Sequence, residues 1–212
     1  TDILRLGGTL ATFNRNGFGH NVLTGQQNYN KDLWAGRISA ELLPTSDLFV
    51  RFAYDRTVDD SQPRQGYRVT PGPAPANIQP LPGLYDTRAN LYTVVGHKQQ
   101  VINQGSSLLI DYTIDPTLSF KSITANRKSE SYAPIDFDSL ETPLFEAPAI
   151  YSDHQTSQEF QFQYNNGSNV QAVYGLYYLD EKVPSHQEAY ANDFLTFVGA
   201  PLDFLRTIAD NL

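Results

Sequence analysis

Apolar and polar residues alternate with a period of two in several segments of the chain, as they do in strands that have one apolar face. The clearest example is Lys31–Leu42 followed by Leu48–Thr57, with the short segment LPTSD at 43–47 between them. Two alternating runs joined by turn-forming residues predict an antiparallel hairpin. The polar face of this hairpin is predicted to carry four charged side chains, Arg37, Glu41, Arg51 and Asp55.

The same alternation predicts five further strands along the chain. They are Ile3–Arg15, Gln104–Ile114, Thr117–Arg127, His154–Tyr164 and Val170–Asp180. Two more tight turns are predicted at 115–116 and 165–169, where Asp, Pro, Asn and Gly collect. The other connections are predicted to be long, and they are Gly17–Asn30, Val58–Asn103, Ser129–Ser152 and the segment from Glu181 to the end. Within them we expect a short strand at Leu91–Val95 and a helix at Pro201–Leu212.

Tight turns therefore alternate with long connections, which is typical of up-and-down barrels in an outer membrane. The predicted strands are longer than the mode of about 5–6 residues in globular proteins. They are close to the 9–11 or so residues that a tilted strand needs to cross a bilayer. The predicted fold class is all-β, an antiparallel up-and-down transmembrane β-barrel segment of about seven strands with long extracellular loops and short periplasmic turns.

In such a barrel the apolar face of the sheet contacts lipid and the polar face lines the lumen. The four charged residues of the first hairpin are thus predicted to face the lumen. The predicted lipid-facing residues are Trp34, Ile38, Leu42, Leu48, Val50, Phe52, Tyr54, Phe160, Phe162, Tyr174, Leu176 and Tyr178.

Composition excludes several other classes of protein. The formal net charge of −8 argues against a nucleic-acid partner, because such proteins present basic patches. Cysteine is absent, which excludes disulfides and cysteine metal sites. No window holds the roughly 18 apolar residues of a membrane helix, and no signal peptide opens the sequence. Methionine is also absent, so we expect the chain to be a piece of a longer translation product.

Three segments resemble the barrel of TonB-dependent outer-membrane receptors, in particular the iron-complex-receptor-like branch. They are the hairpin NYNKDLWAGRISAELLPTSDLFVRFAYD at Asn28–Asp55, LSFKSITANR at Leu118–Arg127, and the hairpin at Ser157–Glu181. The resemblance implies a barrel of about 22 strands closed by a plug domain. It also implies a location in the bacterial outer membrane, contact with lipid, and energy received from the TonB complex through the plug. Residues 1–212 would be a partial barrel domain that lacks the plug and the remaining strands.

The expected function is that of a receptor and transporter importing a scarce small molecule, with a ferric siderophore or a similar iron complex as the expected ligand. A passive porin-type channel is one alternative, and a plug domain upstream would decide between the two. A secreted all-β binding module is another, and it would fold in water without detergent. An enzyme is not expected, because the sequence has no nucleophile elbow and no ordered catalytic residues.

Aromatic residues in the long connections are the candidates for ligand contact, since tyrosine offers contact area and a hydroxyl at low entropic cost. The candidates are Tyr67, Tyr85, Tyr92, Tyr132 and Tyr151, together with Phe137. No cofactor is expected. The histidines His20, His97, His154 and His186 share no metal-ligand spacing, so solvated side chains are expected there. Six acidic residues (Glu130, Asp136, Asp138, Glu141, Glu146 and Asp153) are expected to form a solvated face, with a Ca²⁺ site as the alternative.

Overall fold

The computed structural model describes residues 3–72, 78–89, 99–141 and 145–190. These residues form ten strands and, within the described ranges, no helix. The seven long strands are β1 (Leu4–Arg15), β4 (Lys31–Thr45), β5 (Leu48–Asp59), β6 (Gln100–Asp115), β7 (Leu118–Ala133), β8 (Ala149–Asn165) and β9 (Gln171–Lys182). The three short strands are β2 (Gly19–His20), β3 (Gln27–Asn28) and β10 (Ser185–Gln187).

The long strands form one antiparallel sheet in sequence order, from β1 through β4, β5, β6, β7 and β8 to β9. Strand β10 also pairs with β8 and continues the register of β9 beyond the interruption at Val183 and Pro184. Proline has no N–H to donate, so it is tolerated on such an edge. The predicted fold class is confirmed: the described chain is an open, up-and-down antiparallel sheet of the β-barrel type, with β1 and β9 at its edges.

Side chains and glycine close the tight turns at one end of the sheet. Asp115 Oδ1 accepts hydrogen bonds from the backbone N of Thr117 at 2.7 Å and of Leu118 at 3.0 Å. In the last turn, Asn166 Oδ1 accepts from the backbone N of Val170 at 3.1 Å, and Gly167 has a φ of +71° that favours glycine. These short turns fix the register of the flanking strands.

The register brings all even-numbered residues of the long strands to one face, apart from bulges beside two of the turns. Ala40, Phe52 and Leu108 are neighbours across three strands on this face, as are Phe120, Phe162 and Tyr174. The rings of Phe120 and Phe162 lie 5.0 Å apart between centroids. We call this surface the even face; the residues predicted to face lipid all lie on it.

The apolar part of the even face runs diagonally across the strands. On β4 it extends away from the tight turns as far as Trp34. At the same register level, β7 and β8 carry the polar residues Glu130 and Ser152. On β8 it stops at Phe160 and lies close to the tight turn. Strands of a closed barrel tilt by about 35–45° from its axis, so a level apolar belt crosses their register obliquely. The diagonal course of the apolar residues is the pattern expected of tilted strands.

Several strands extend farther from the tight turns than their sequence pattern predicts. β6 begins at Gln100 rather than Gln104, β7 ends at Ala133 rather than Arg127, and β8 begins at Ala149 rather than His154. The long connections are correspondingly shorter, at 60–99 and 134–148. Both faces of these extensions carry polar residues, so the period of two is lost although the backbone pairing continues. The predicted strand at Leu91–Val95 and helix at Pro201–Leu212 lie outside the described residues.

Candidate functional site

The long connections pack against one another at the end of the sheet opposite the tight turns. The β1–β4 connection reaches the β5–β6 connection through a bridge between Asn21 and Thr87. The β5–β6 connection reaches the β7–β8 connection through Arg68 Nη2, which donates to the Asp138 carbonyl at 3.3 Å, and through Ser139 Oγ, which donates to the carbonyl of Gly66 at 3.4 Å. We call these three packed connections the loop layer.

Buried polar side chains and close backbone contacts hold the loop layer in place. The Asn21 side chain is 3% exposed; its Nδ2 donates to the Ala89 carbonyl at 2.6 Å, and its Oδ1 accepts from the backbone N of Leu23 at 3.0 Å. A Cβ added at Gly19 would collide with the carbonyl of Tyr85. At this point the two connections are therefore too close together for any residue other than glycine. Buried hydrogen bonds and close backbone contacts therefore join the described parts of these connections.

Four aromatic side chains meet within the loop layer. Phe18 stacks on Tyr29 at 4.9 Å between ring centroids, and Tyr85 meets Phe18 edge-on at 5.0 Å and Tyr67 edge-on at 4.8 Å. The hydroxyl of Tyr29 donates to the Gln65 carbonyl at 2.7 Å. We call Phe18, Tyr29, Tyr67 and Tyr85 the aromatic cluster; it brings two separate connections together.

The aromatic cluster has two features that are common at binding sites, a strained backbone and a neighbouring positive charge. Tyr29 and Tyr85 have φ values of 65° and 69°, in the left-handed region that costs a tyrosine conformational energy. The Arg15 guanidinium lies 5.2 Å from the Phe18 ring centroid, and its Nη2 donates to the Tyr29 carbonyl at 2.7 Å. Burial, and then the neighbouring Tyr67 and Tyr85, raise the pKa of the Tyr29 hydroxyl above its usual value. The hydroxyl therefore stays a neutral hydrogen-bond donor near neutral pH.

The structure gathers only part of the predicted ligand-contact set. Tyr67 and Tyr85 lie in the aromatic cluster. The prediction that Tyr132 and Tyr151 lie in a long connection is wrong: they lie in β7 and β8, where pairing continues past the apolar alternation, and line a separate open cavity of about 210 Å³. Tyr92 lies outside the described residues. Sequence reasoning did not find Phe18 and Tyr29 as cluster members, because nothing in their local pattern shows that two distant connections meet. Ligand contact by any of these residues stays a prediction.

Charged side chains collect on the opposite, odd-numbered face of the sheet. The predicted lumen residues Arg37, Glu41, Arg51 and Asp55 all lie there. Asp55 Oδ2 accepts a hydrogen bond from Arg127 Nη2 at 2.9 Å, and Oδ1 accepts from Nη1 at 3.3 Å. The two residues lie on either side of β6, and Gly105 is their common register neighbour. Because Gly105 has no side chain, the guanidinium of Arg127 can cross over β6 to reach Asp55.

Substitution of Gly105 by valine is expected to destabilise the full-length protein by about 1–3 kcal/mol through overpacking. A Cβ at this position would lie 2.8 Å from the Asn126 carbonyl and 3.1 Å from Arg127 Cζ. Ser107→Val on the same strand and face is the matched control, since valine generally favours strands. Urea unfolding in detergent measures both variants. Equal stability of the two would mean that the close crossing at Gly105 is unimportant.

The histidines and acidic residues form no metal centre in the described part of the chain, where no three His, Asp or Glu side chains group as ligands. His20 Nδ1 lies 3.7 Å from Asp86, and His186 Nε2 lies 2.9 Å from Glu188. His154 lies within β8, and His97 is outside the described residues.

The expectation of a solvated acidic face is wrong for Asp136 and Glu146, which are 8% and 1% exposed because the β7–β8 connection folds over them.

Among the described residues, no helix is long and apolar enough to cross a membrane.

Comparison with known proteins gives a structural likeness. No family model matches the chain, and no curated protein matches it. The crystal structure of the ferric yersiniabactin uptake receptor FyuA from Yersinia pestis superposes with a TM-score of 0.64 at 15% sequence identity. The match covers 88% of this chain and 28% of the FyuA chain, so the chain spans a little over a quarter of that receptor's length. At this identity the likeness shows the fold alone: the described sheet resembles in its fold the matched part of that receptor.

Proposed function

We propose that this chain is a segment of the barrel domain of a TonB-dependent receptor in the bacterial outer membrane, and that the complete protein imports a ferric siderophore or a similar iron complex. One observation carries the proposal: a sheet with an apolar and a charged face bears the loop layer at one end and tight turns at the other. The likeness to part of a ferric-siderophore uptake receptor supports the same reading. The partners would be an iron complex, membrane lipid, and TonB through a plug domain elsewhere in the complete protein.

The two faces of the sheet support the membrane part of this proposal. Isolated in water, the even face would leave large side chains such as Trp34, Ile38 and Phe52 about 40–60% exposed. Exposed apolar patches of this extent mark interaction surfaces, and a lipid contact is consistent with the long strands and their alternating pattern. The charged odd face, with Arg127 and Asp55 paired across a strand, suits the wet interior of a large barrel.

The loop layer supports the receptor part of the proposal. Binding residues are over-represented in loops that a rigid scaffold positions, and here the scaffold is the sheet below. The aromatic cluster offers ring faces and hydroxyl groups beside the Arg15 guanidinium. These groups fit a ligand that combines aromatic or apolar parts with negative charge, as many iron complexes do. The tight turns at the other end are too short to build a concave site.

The test is uptake of ⁵⁵Fe presented as siderophore complexes by cells that produce the full-length protein in place of their own iron receptors. We expect uptake that depends on both the protein and a functional TonB gene. Uptake that persists without TonB would instead indicate a passive channel. A full-length protein that folds in water without detergent and never reaches the outer membrane would indicate a secreted binding module.

A further inference from the structure

A cavity of about 560 Å³ opens on the even face where β5, β6 and β7 approach the loop layer. The described residues that line it are Asp60, Gln62, Gln99, Gln100 and Tyr132. Asp60 directly follows β5, and Gln100 and Tyr132 are register neighbours on β6 and β7. The volume lies within the range of about 300–1,000 Å³ that is typical of small-molecule sites. We call this space the amide cavity.

Hydrogen bonds hold one side of the amide cavity in place. Gln100 Nε2 donates to Asp60 Oδ1 at 2.8 Å. The backbone N of Asp60 donates to the carbonyl of Asp32 at 2.8 Å, and the backbone N of Gln62 donates to Asn30 Oδ1 at 2.8 Å. The start of the β5–β6 connection is thus fixed to the chain at β4, and its polar groups are positioned before a ligand binds.

Gln62 offers the amide cavity an acceptor that lacks a donor. Gln62 Oε1 is shielded from solvent and accepts no hydrogen bond within the described residues. A buried acceptor without a donor costs free energy. The last torsion of a glutamine side chain is broad, so rotation of the amide brings the oxygen toward the cavity. A ligand hydroxyl there would supply the missing hydrogen bond.

The other lining groups favour a neutral ligand that is rich in hydroxyl groups. Three of the five described lining residues are glutamines, whose amides both donate and accept. The same set contains no Lys or Arg to hold a phosphate, and Asp60 is its one charged residue. Tyr132 adds a ring with an apolar surface. A saccharide matches this set, because its hydroxyls donate and accept and its C–H face packs on an aromatic ring.

The amide cavity lies well beyond the apolar part of the even face. On β6 the continuous apolar surface ends at Leu108, and Gln100 lies about 26 Å farther along the strand at about 3.3 Å per residue. With the strand tilted by about 40°, the height difference is about 20 Å. The headgroup region adds only about 5–8 Å to each side of a bilayer. If the apolar surface lies in a membrane, as proposed above, the cavity opens into water beyond the lipid headgroups.

We propose that the amide cavity binds one sugar unit of a neutral saccharide. Hydroxyl groups of the sugar donate to Asp60 and Gln62 and accept from the amide of Gln99, and the C–H face of the sugar packs on Tyr132. This site shares no residue with the aromatic cluster. It rests on the proposed function only for its height above the membrane.

The test titrates the full-length protein with fluorescently labelled neutral trisaccharides of glucose, galactose, mannose and N-acetylglucosamine. The detergent is a sugar-free amine oxide, because glycoside detergents would compete for the cavity. We expect saturable binding of at least one trisaccharide. Gln62→Leu is expected to weaken that binding about tenfold, through loss of one hydrogen bond, and to leave the unfolding temperature unchanged. The matched control is Gln158→Leu, on the same face but outside the cavity, for which we expect unchanged binding.

Two results would overturn the proposal: no binding of any of these trisaccharides by the wild type, or equal affinity of the wild type and Gln62→Leu. If Gln62→Leu lowers the unfolding temperature, Asp60→Asn replaces it as the test. Asp60 is exposed, and the change keeps the shape of the side chain while it removes a charged acceptor. We then expect binding about fivefold weaker, and unchanged affinity would overturn the proposal.

Further probes distinguish the class of ligand and its source. Fully deacetylated chitotriose carries cationic amines, and clearly tighter binding of it than of neutral chitotriose would overturn a neutral saccharide as the ligand. A polysaccharide of the bound sugar separates two sources: binding of the trisaccharide alone identifies a soluble saccharide, and binding of both identifies a surface polymer. Saccharide binding by a protein that imports no iron would refute the proposed function alone. Normal iron import without saccharide binding would refute this inference alone.

Discussion

Replacing Phe52 with arginine is expected to lower the free energy of unfolding of the full-length barrel by about 2–4 kcal/mol and to reduce its assembly. Phe52 lies on the even face between Ala40 and Leu108, well inside the apolar surface, and is 43% exposed in this sheet. If that face meets lipid, an arginine there must be taken from water into hydrocarbon. The measurement is heat-modifiable mobility on gels, followed by urea unfolding in lipid vesicles.

The control for Phe52→Arg introduces the same side chain on the other face. Ile123 lies on the odd face, where Glu159 is a register neighbour on β8, so Ile123→Arg places its charge opposite a carboxylate. We expect Ile123→Arg and Arg51→Ala to be mild, within about 1 kcal/mol of the wild type. A loss of stability as large in Ile123→Arg as in Phe52→Arg would reverse the assignment of the lipid and lumen faces.

Replacing Tyr85 with alanine is expected to raise the Kd for the imported iron complex about thirtyfold, since loss of a central aromatic anchor typically costs about 2 kcal/mol or more. Tyr85 contacts three rings of the aromatic cluster. Its removal should leave the loop layer in place, because Thr87 N donates to the His20 carbonyl and Val22 N donates to the Thr87 carbonyl, both at 2.9 Å. The measurement is ligand binding by whole cells after surface exposure is confirmed.

Two comparisons make the Tyr85 result specific. Tyr85→Phe keeps the ring and should retain most of the affinity if the ring face makes the contact. Exchange of the turn at 165–169 for another short turn should leave binding unchanged, because that turn lies at the other end of the sheet. Unchanged binding in Tyr85→Ala, with loss after the turn exchange, would place the ligand at the tight-turn end and refute the assigned topology.

The sequence by itself determined the strands, their order and the two faces. Lys31–Leu42 and Leu48–Thr57 alternate so regularly that only a half-apolar hairpin fits, and the structure pairs them in that way. The tight turns could also be predicted from the sequence, because Asp, Asn, Pro and Gly form turns through local hydrogen bonds and backbone preferences. Both features are local: the signal lies within a few residues of the structure that it specifies.

The ends of the strands could not be read in the same way. Gln100–Asn103 and Lys128–Ala133 pair with their neighbours although their side chains show no apolar alternation. The period of two records a difference in environment between the two faces of a strand. Where both faces meet polar surroundings, that difference vanishes, while backbone groups still gain by pairing. Sequence analysis therefore predicted long connections that begin too early, after β5 and β7, and end too late, before β6 and β8.

Only the tertiary structure decided which distant residues meet. The aromatic cluster joins Phe18 and Tyr29 to Tyr67 and Tyr85 through the packing of two connections, which has no sequence period. The pairing of Arg127 with Asp55 and the contact of Gln100 with Asp60 depend on the register of the neighbouring strands. A shift of one residue in any register would move these side chains to the opposite face. The sequence of each segment thus specified a strand and its two faces. The pairing register across the whole sheet specified which distant residues meet.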